Sequence, residues 1–205
     1  LVTAVYDHTF DVCSALVAQG TPPDMVQVGN EINAGLLWPD GDYQHFDNMA
    51  ELLTAAYQAV KDCSPDTPVM LHIAEGGDNE LAKWWFGNIT RRDVPFDLIG
   101  ISYYPFWHGS LGELQYNLND ISQRYDKDVV VVETAYAFTD GDKDDYPNIA
   151  ESSLAVPGYP FTPDGQRRLL RDVMAVVRAV PNNRGLGVFY WDAVWTAVPG
   201  TGWDG

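Results

Sequence analysis

The chain has 205 residues, 46% of them hydrophobic, and a formal net charge of −17. That apolar content is enough for the core of one domain, and no apolar run approaches the roughly 20 residues of a membrane helix. So acidic a surface repels phosphate backbones, which excludes nucleic acid as a partner and suits a soluble monomer acting on a neutral substrate. No charged start followed by an apolar stretch marks a signal peptide. Aromatic residues reach 13%, with seven Trp and eleven Tyr. Their flat apolar faces and polar edges suit sugar rings, although most are expected to pack the core.

The pattern alternates helix and strand. Residues 4–19 read as a helix with a rough apolar face of Val5, Phe10, Val12, Leu16 and Val17, stopped by Gly20 and the Pro22-Pro23 pair. Met25 to Gly29 is a short strand. Phe46, Met49, Leu52, Leu53, Ala56, Tyr57 and Val60 recur at spacings of three and four, which predicts a helix over about 44–62. Strands follow at Val69–Ala74, Phe96–Ser102 and Val129–Glu133, separated by helices over about 79–90 and 110–125. A long polar loop covers 134–161. Thr162 then caps a helix with Pro163 at its first position, and Gly185–Trp191 is the last strand. The two cysteines, Cys13 and Cys63, fall on helices without CxxC spacing and are expected to be buried thiols rather than a disulfide.

Strands separated by helices imply an α/β fold with a parallel sheet and right-handed crossovers. No glycine-rich phosphate loop follows a strand, which argues against a nucleotide-binding doubly wound sheet. A complete (β/α)8 TIM barrel takes about 250 residues. The expectation is therefore a partial barrel forming one catalytic domain over 1–205, incomplete at both ends, with about strands 4–8 of eight present. A five-stranded open sheet is the alternative.

In parallel barrels the reactive residues sit where strands end and loops begin. Those points hold Asn30 and Glu31, His72 and Glu75, Tyr103 and Tyr104, Glu133, and Trp191 and Asp192. Glu31 and Glu133 each follow directly on an apolar strand, where a carboxylate is costly unless used or paired. Glycoside cleavage needs two carboxyl groups, one to protonate the leaving oxygen and one to attack the anomeric carbon. The two glutamates stand 102 positions apart, so only a closed sheet is expected to bring them together.

Val26-Gln27-Val28-Gly29-Asn30-Glu31-Ile32-Asn33-Ala34-Gly35 resembles the fourth-strand motif of glycoside hydrolase family 53, the endo-β-1,4-galactanases of clan A. Ile99 to Gly109 resembles its sixth strand, Val132-Glu133-Thr134-Ala135-Tyr136 its nucleophile segment, and Gly187 to Trp191 its eighth strand. The motifs keep the family's order. Asp192 departs from it, standing where a Glu commonly follows the Trp.

The resemblance implies a retaining endo-glycosidase that hydrolyses β-1,4-galactan (arabinogalactan type I) by double displacement. Glu31 would be the acid/base and Glu133 the nucleophile. Asn30 would bind the 2-hydroxyl of the sugar beside the cut. Tyr103 or Tyr104 would orient Glu133, with Tyr103 favoured, and Trp191 would floor the site. Trp38 and Trp107 could stack on further sugars, and His72 is a weaker substrate-binding candidate. A clan A mannanase or cellulase, or an inactive carbohydrate-binding fragment, is the alternative. An extracellular location is expected.

The loop after Glu133 carries Asp140-Gly141-Asp142-Lys143-Asp144-Asp145-Tyr146-Pro147-Asn148. Oxygen ligands alternate at Asp142, Asp144 and Asn148, with the Tyr146 carbonyl between, as hard Ca²⁺ prefers. Bacterial members of the family can carry calcium in the corresponding loop. A structural Ca²⁺ is thus expected, with no organic cofactor.

Overall fold

The computed structural model describes residues 1–141 and 148–192. Five parallel strands form one sheet: β1 (Val26–Val28), β4 (Val69–Ile73), β5 (Leu98–Ser102), β6 (Asp128–Thr134) and β7 (Gly185–Tyr190). They lie side by side in chain order. The sheet therefore has no reversal of order and no topological switch point, which is the arrangement of a barrel wall. Helices α1 (Val2–Ala18), α2 (Phe46–Cys63), α3 (Asn79–Thr90), α4 (Leu111–Tyr125) and α5 (Pro163–Arg178) surround it. Every strand and helix read from the sequence is present. A two-stranded antiparallel hairpin, β2 (Gly35–Leu36) with β3 (Gly41–Asp42), is an addition too short to show a period. Among the described residues no helix is long and apolar enough to cross a membrane.

The helix starts follow local chemistry. Asp78 accepts from Leu81 N, Ser110 and Glu113 form a reciprocal capping box, and Thr162 accepts from Gly165 N ahead of Pro163. Each such cap stabilises by about 1 kcal/mol. α4 ends on Asp126 in the left-handed region.

The two faces of the sheet differ. Leu71, Ile73, Ile99, Ile101, Val129 and Val131 face the helices and join the main core, with Met49, Leu53 and Val60 of α2, Trp85 and Phe86 of α3, and Leu118 of α4. The alternate residues Met70, Leu98, Val130 and Val132 form a second cluster on the inner face. Gly100 sits among them because a Cβ there would lie 2.9 Å from Met70 Sδ.

α1 departs from expectation. Of its apolar face, Val12 and Val17 are exposed, and Cys13 is its one buried residue. An apolar groove of about 580 Å³ runs between α1 and β1, lined in part by Val5, Leu16, Val26 and Val28. The expected thiols are instead a disulfide, Cys13–Cys63, with Cα atoms 6.2 Å apart. It links the middle of α1 to the last residue of α2. Helix positions alone could not reveal this, because the two helices are not neighbours in sequence and their facing depends on the tertiary packing.

Candidate active site

Glu31 lies in a tight turn beyond β1. Gly29 has φ 74° and Glu31 itself has φ 47°, so the chain bends sharply and aims the carboxylate back over the sheet. Several bonds hold that bend. Glu31 N donates to His72 Nδ1 (3.3 Å) and Ile32 N to the His72 carbonyl (3.0 Å). The Trp85 indole donates to the Ile32 carbonyl (3.0 Å). Asn33 Oδ1 accepts from Ala74 N (2.7 Å).

Glu133 reaches the same place by a different device. Ile101 pairs with Val131, yet the next residue, Ser102, pairs with Glu133 rather than Val132. This bulge puts Val132 and Glu133 on the inner face together, re-aiming a side chain that strict alternation would send toward the helices. Three inter-strand steps of roughly 4.8 Å separate β1 from β6, so a flat sheet would leave the glutamates about 14 Å apart. The sheet curls instead, and one carboxylate oxygen from each, with a ring nitrogen of His72, all lie within 4.8 Å of one another.

The electrostatics separate the groups. Burial pushes the Glu133 carboxyl above its usual range. Hydrogen bonds from Tyr104 and Asn30 stabilise its ionised form and pull it back, while the Glu31 charge raises it. The Tyr104 hydroxyl donates to Glu133 Oε2 at 2.8 Å. Burial, and then this bond, raise the Tyr104 phenol, so it stays a donor. Burial drives His72 down to about 4.

Two expected contacts change. Tyr103 is fully buried and donates to the Gly109 carbonyl (2.9 Å), so it does not orient Glu133 and faces no substrate. It shares parity with Ile99 and Ile101, whereas Tyr104 shares parity with the inward Gly100 and Ser102; that alternation was the available signal. His72 is also fully buried. Its Nδ1 accepts from Glu31 N and its Nε2 meets Ser102 Oγ at 2.8 Å, so it supports Glu31 from beneath and does not touch sugar. With both nitrogens engaged, the Glu31, His72 and Glu133 group is a carboxylate pair over a neutral imidazole rather than an ion cage.

Asn30, Trp38, Trp107 and Trp191 are exposed. Trp38 lies in the β2–β3 turn and Trp107 in the β5–α4 loop, both beyond the strand ends that carry the glutamates. Trp191 follows β7, its backbone N donating to the Thr134 carbonyl (2.8 Å). Of the expected calcium ligands, Asp142, Asp144 and Tyr146 lie outside the described residues. Asn148 is exposed and its amide donates to the Asp140 carbonyl (3.4 Å).

Parallel strands in barrel order, with two glutamates converging at their C-terminal ends, define the glycoside hydrolases built on a TIM barrel. The comparisons with known proteins agree with that class. The model of glycosyl hydrolase family 53 matches residues 1–205, and the chain belongs to this family. The chain is 34% identical to an arabinogalactan endo-beta-1,4-galactanase of Thermothelomyces thermophilus, over 93% of this chain and 58% of that protein. The family 53 catalytic domain of Ignisphaera aggregans superposes with a TM-score of 0.93 at 40% identity, over 98% of this chain and 56% of that one. A fungal beta-1,4-galactanase does so at 0.84 and 33% identity, over 95% and 59%. The chain thus spans less than two thirds of the length of each.

Proposed function

We propose that this chain carries the catalytic pair of a retaining endo-β-1,4-galactanase, with residues 1–205 belonging to one catalytic barrel domain. The observation that carries this reading is the convergence of Glu31 and Glu133, one carboxylate oxygen of each lying within 4.8 Å of the other. Retaining pairs stand about 5–5.5 Å apart, whereas inverting pairs leave about 6.5–9.5 Å for a water. The galactan substrate rests on the names of the relatives.

In this reading Glu133 attacks the anomeric carbon while Glu31 gives its proton to the departing glycosidic oxygen. The resulting glycosyl ester is cleaved by water, whose proton passes to Glu31, and Glu133 is released with net retention. Tyr104 and Asn30 hold Glu133, and Asn30 can also reach the sugar's 2-hydroxyl. Trp38, Trp107 and Trp191 offer exposed indole faces for neighbouring sugars. The Cys13–Cys63 disulfide favours an oxidising, extracellular setting. A structural Ca²⁺ in the 142–148 loop belongs to the same proposal, on the spacing of its oxygens.

The test is Glu133→Ala in the full-length protein that carries this chain, with galactan, mannan and carboxymethylcellulose compared side by side. Loss of galactan cleavage, restored by azide as an inverted glycosyl azide, is expected. Wild-type activity in Glu133→Ala or Glu31→Ala would refute the mechanism, and preference for mannan or carboxymethylcellulose would refute the substrate.

A further inference from the structure

The turn after β4 reads Glu75-Gly76-Gly77 and lies beside the carboxylate pair without contributing to it. Glu75 sits at φ 66°, a conformation a side-chain-bearing residue adopts rarely. A Cβ on Gly76 would lie 2.9 Å from the Ser102 carbonyl oxygen, and one on Gly77 would lie 2.1 Å from the His108 carbonyl oxygen. The two glycines therefore let this turn press onto the segment that follows β5. The result is a contact between half-exposed Glu75 and a buried imidazole: Glu75 Oε1 lies 3.8 Å from His108 Nε2.

His108 in turn grips Tyr104. Its Nδ1 accepts from Tyr104 N (3.1 Å), its own N donates to the Tyr104 carbonyl (2.8 Å), and the two rings meet edge-on with centroids 5.6 Å apart. A nitrogen that accepts carries no proton, so the neutral ring holds its proton on Nε2, the atom turned toward Glu75. Nδ1 also lies 3.2 Å from the Ser102 carbonyl, but it could donate there only by giving up Tyr104 N. The carboxylate thus favours the tautomer that keeps Tyr104 bound. Tyr104 ends on Glu133 Oε2.

We propose that His108 is a positioning residue, held in its working tautomer by Glu75, that fixes Tyr104 against the Glu133 carboxylate. The proposal rests on the reading of Glu133 as nucleophile. His108 touches neither Glu133 nor substrate in this role; it acts through Tyr104. The groups that bear on Glu133 are Tyr104, Asn30, Glu31 and His108, with Asp192 acting on Tyr104. Of these, the hydrogen bonds from Tyr104 and Asn30 favour the charged carboxylate. Loosening Tyr104 disfavours it, so the acidic limb of the pH profile moves to higher pH.

The experiment compares His108→Ala, His108→Asn and Glu75→Gln in the full-length protein, measuring kcat, KM, pH profile and melting temperature. His108→Ala is expected to lose about tenfold in kcat, with KM within about twofold and the acidic limb raised. His108→Asn, whose amide oxygen can still accept from Tyr104 N, should recover most of kcat and the wild-type limb. Glu75→Gln should fall between them.

A folded His108→Ala with wild-type kcat and limb would overturn the proposal. So would equal loss in the Ala and Asn variants with only the melting temperature changed. If His108→Ala fails to fold, the limb in Glu75→Gln decides, and an unmoved limb overturns the proposal. Glu133→Ala separates the two readings. Wild-type activity there refutes the nucleophile itself, whereas an azide-rescued Glu133→Ala beside an unimpaired His108→Ala removes only the positioning role.

Discussion

The Tyr104 hydroxyl donates a hydrogen bond to Oε2 of Glu133 across 2.8 Å, while that of its neighbour Tyr103 donates to the Gly109 carbonyl within the helix-facing core. Two identical side chains at adjacent positions thus have separable effects. Tyr104→Phe deletes a bond to a charged group, which contributes roughly 1.5–3 kcal/mol, so kcat/KM should fall by about tenfold to a hundredfold. That bond lowers the Glu133 pKa, and its loss raises it, so the acidic limb of the pH profile moves upward. Tyr103→Phe should lower stability by about 1 kcal/mol and leave the limb in place. A limb that moves in Tyr103→Phe and stays in Tyr104→Phe would reverse the assignment.

His72 predicts an acid-side weakness. Burial lowers its pKa from 6.5 to about 4 in the folded chain. Above pH 6.5 both folded and unfolded forms hold it neutral. As pH falls from 6.5 toward 4 the unfolded form takes up a proton that the folded form refuses, so stability drops, by up to about 3 kcal/mol. Below about 4 both forms are charged and the loss levels off. His72→Gln removes this titration. Denaturant midpoints of variant and wild type, taken at pH 7 and pH 4.5, should show the smaller drop in the variant, and parallel curves would refute the linkage.

The residues that the sequence made legible are those governed by local rules. The apolar spacing of α2, the Thr162–Pro163 start of α5 and the run Val129–Val132 each fix an element through period or capping chemistry. Both glutamates could be placed at strand ends for the same reason. What stayed hidden depends on the third dimension. The bulge that turns Glu133 inward is set by pairing with β5, and alternation from Val129 would have faced it outward. The roles of Tyr103 and Tyr104 were readable by parity with Ile101 and Ser102, but only once the inner face was known. The facing of Cys13 and Cys63 requires the packing of α1 on α2. The tie between Glu75 and His108 depends on two glycines whose need is visible only in the contact they allow.

The acidic loop after β6 carries the calcium proposal. Its alternating oxygens at Asp142, Asp144, Tyr146 and Asn148 would supply part of the six to eight that Ca²⁺ takes. An ion bound to the folded loop alone stabilises it by mass action, by about 2.7 kcal/mol at a hundredfold excess over Kd. Melting in millimolar Ca²⁺ should therefore occur several degrees above melting in EDTA, and Asp142→Ala combined with Asp144→Ala should abolish the difference. Superimposable curves for the unaltered protein would sink the proposal.

The disulfide makes the last prediction. α1 buries little of its own surface, with Cys13 its one buried residue, yet Cys13 is bonded to Cys63 at the end of α2, 50 positions away. Closing a loop of that length restricts the unfolded chain by on the order of 4 kcal/mol in the chain-entropy model. For a protein of this size the loss amounts to about 10 °C in Tm. A Cys13→Ser, Cys63→Ser double variant should melt lower by about that amount. Because α1 is poorly buried, amide exchange should quicken there before it quickens in β4 or β5, whose residues are all buried. An unchanged Tm with uniform exchange would mean that α1 docks on α2 by packing alone.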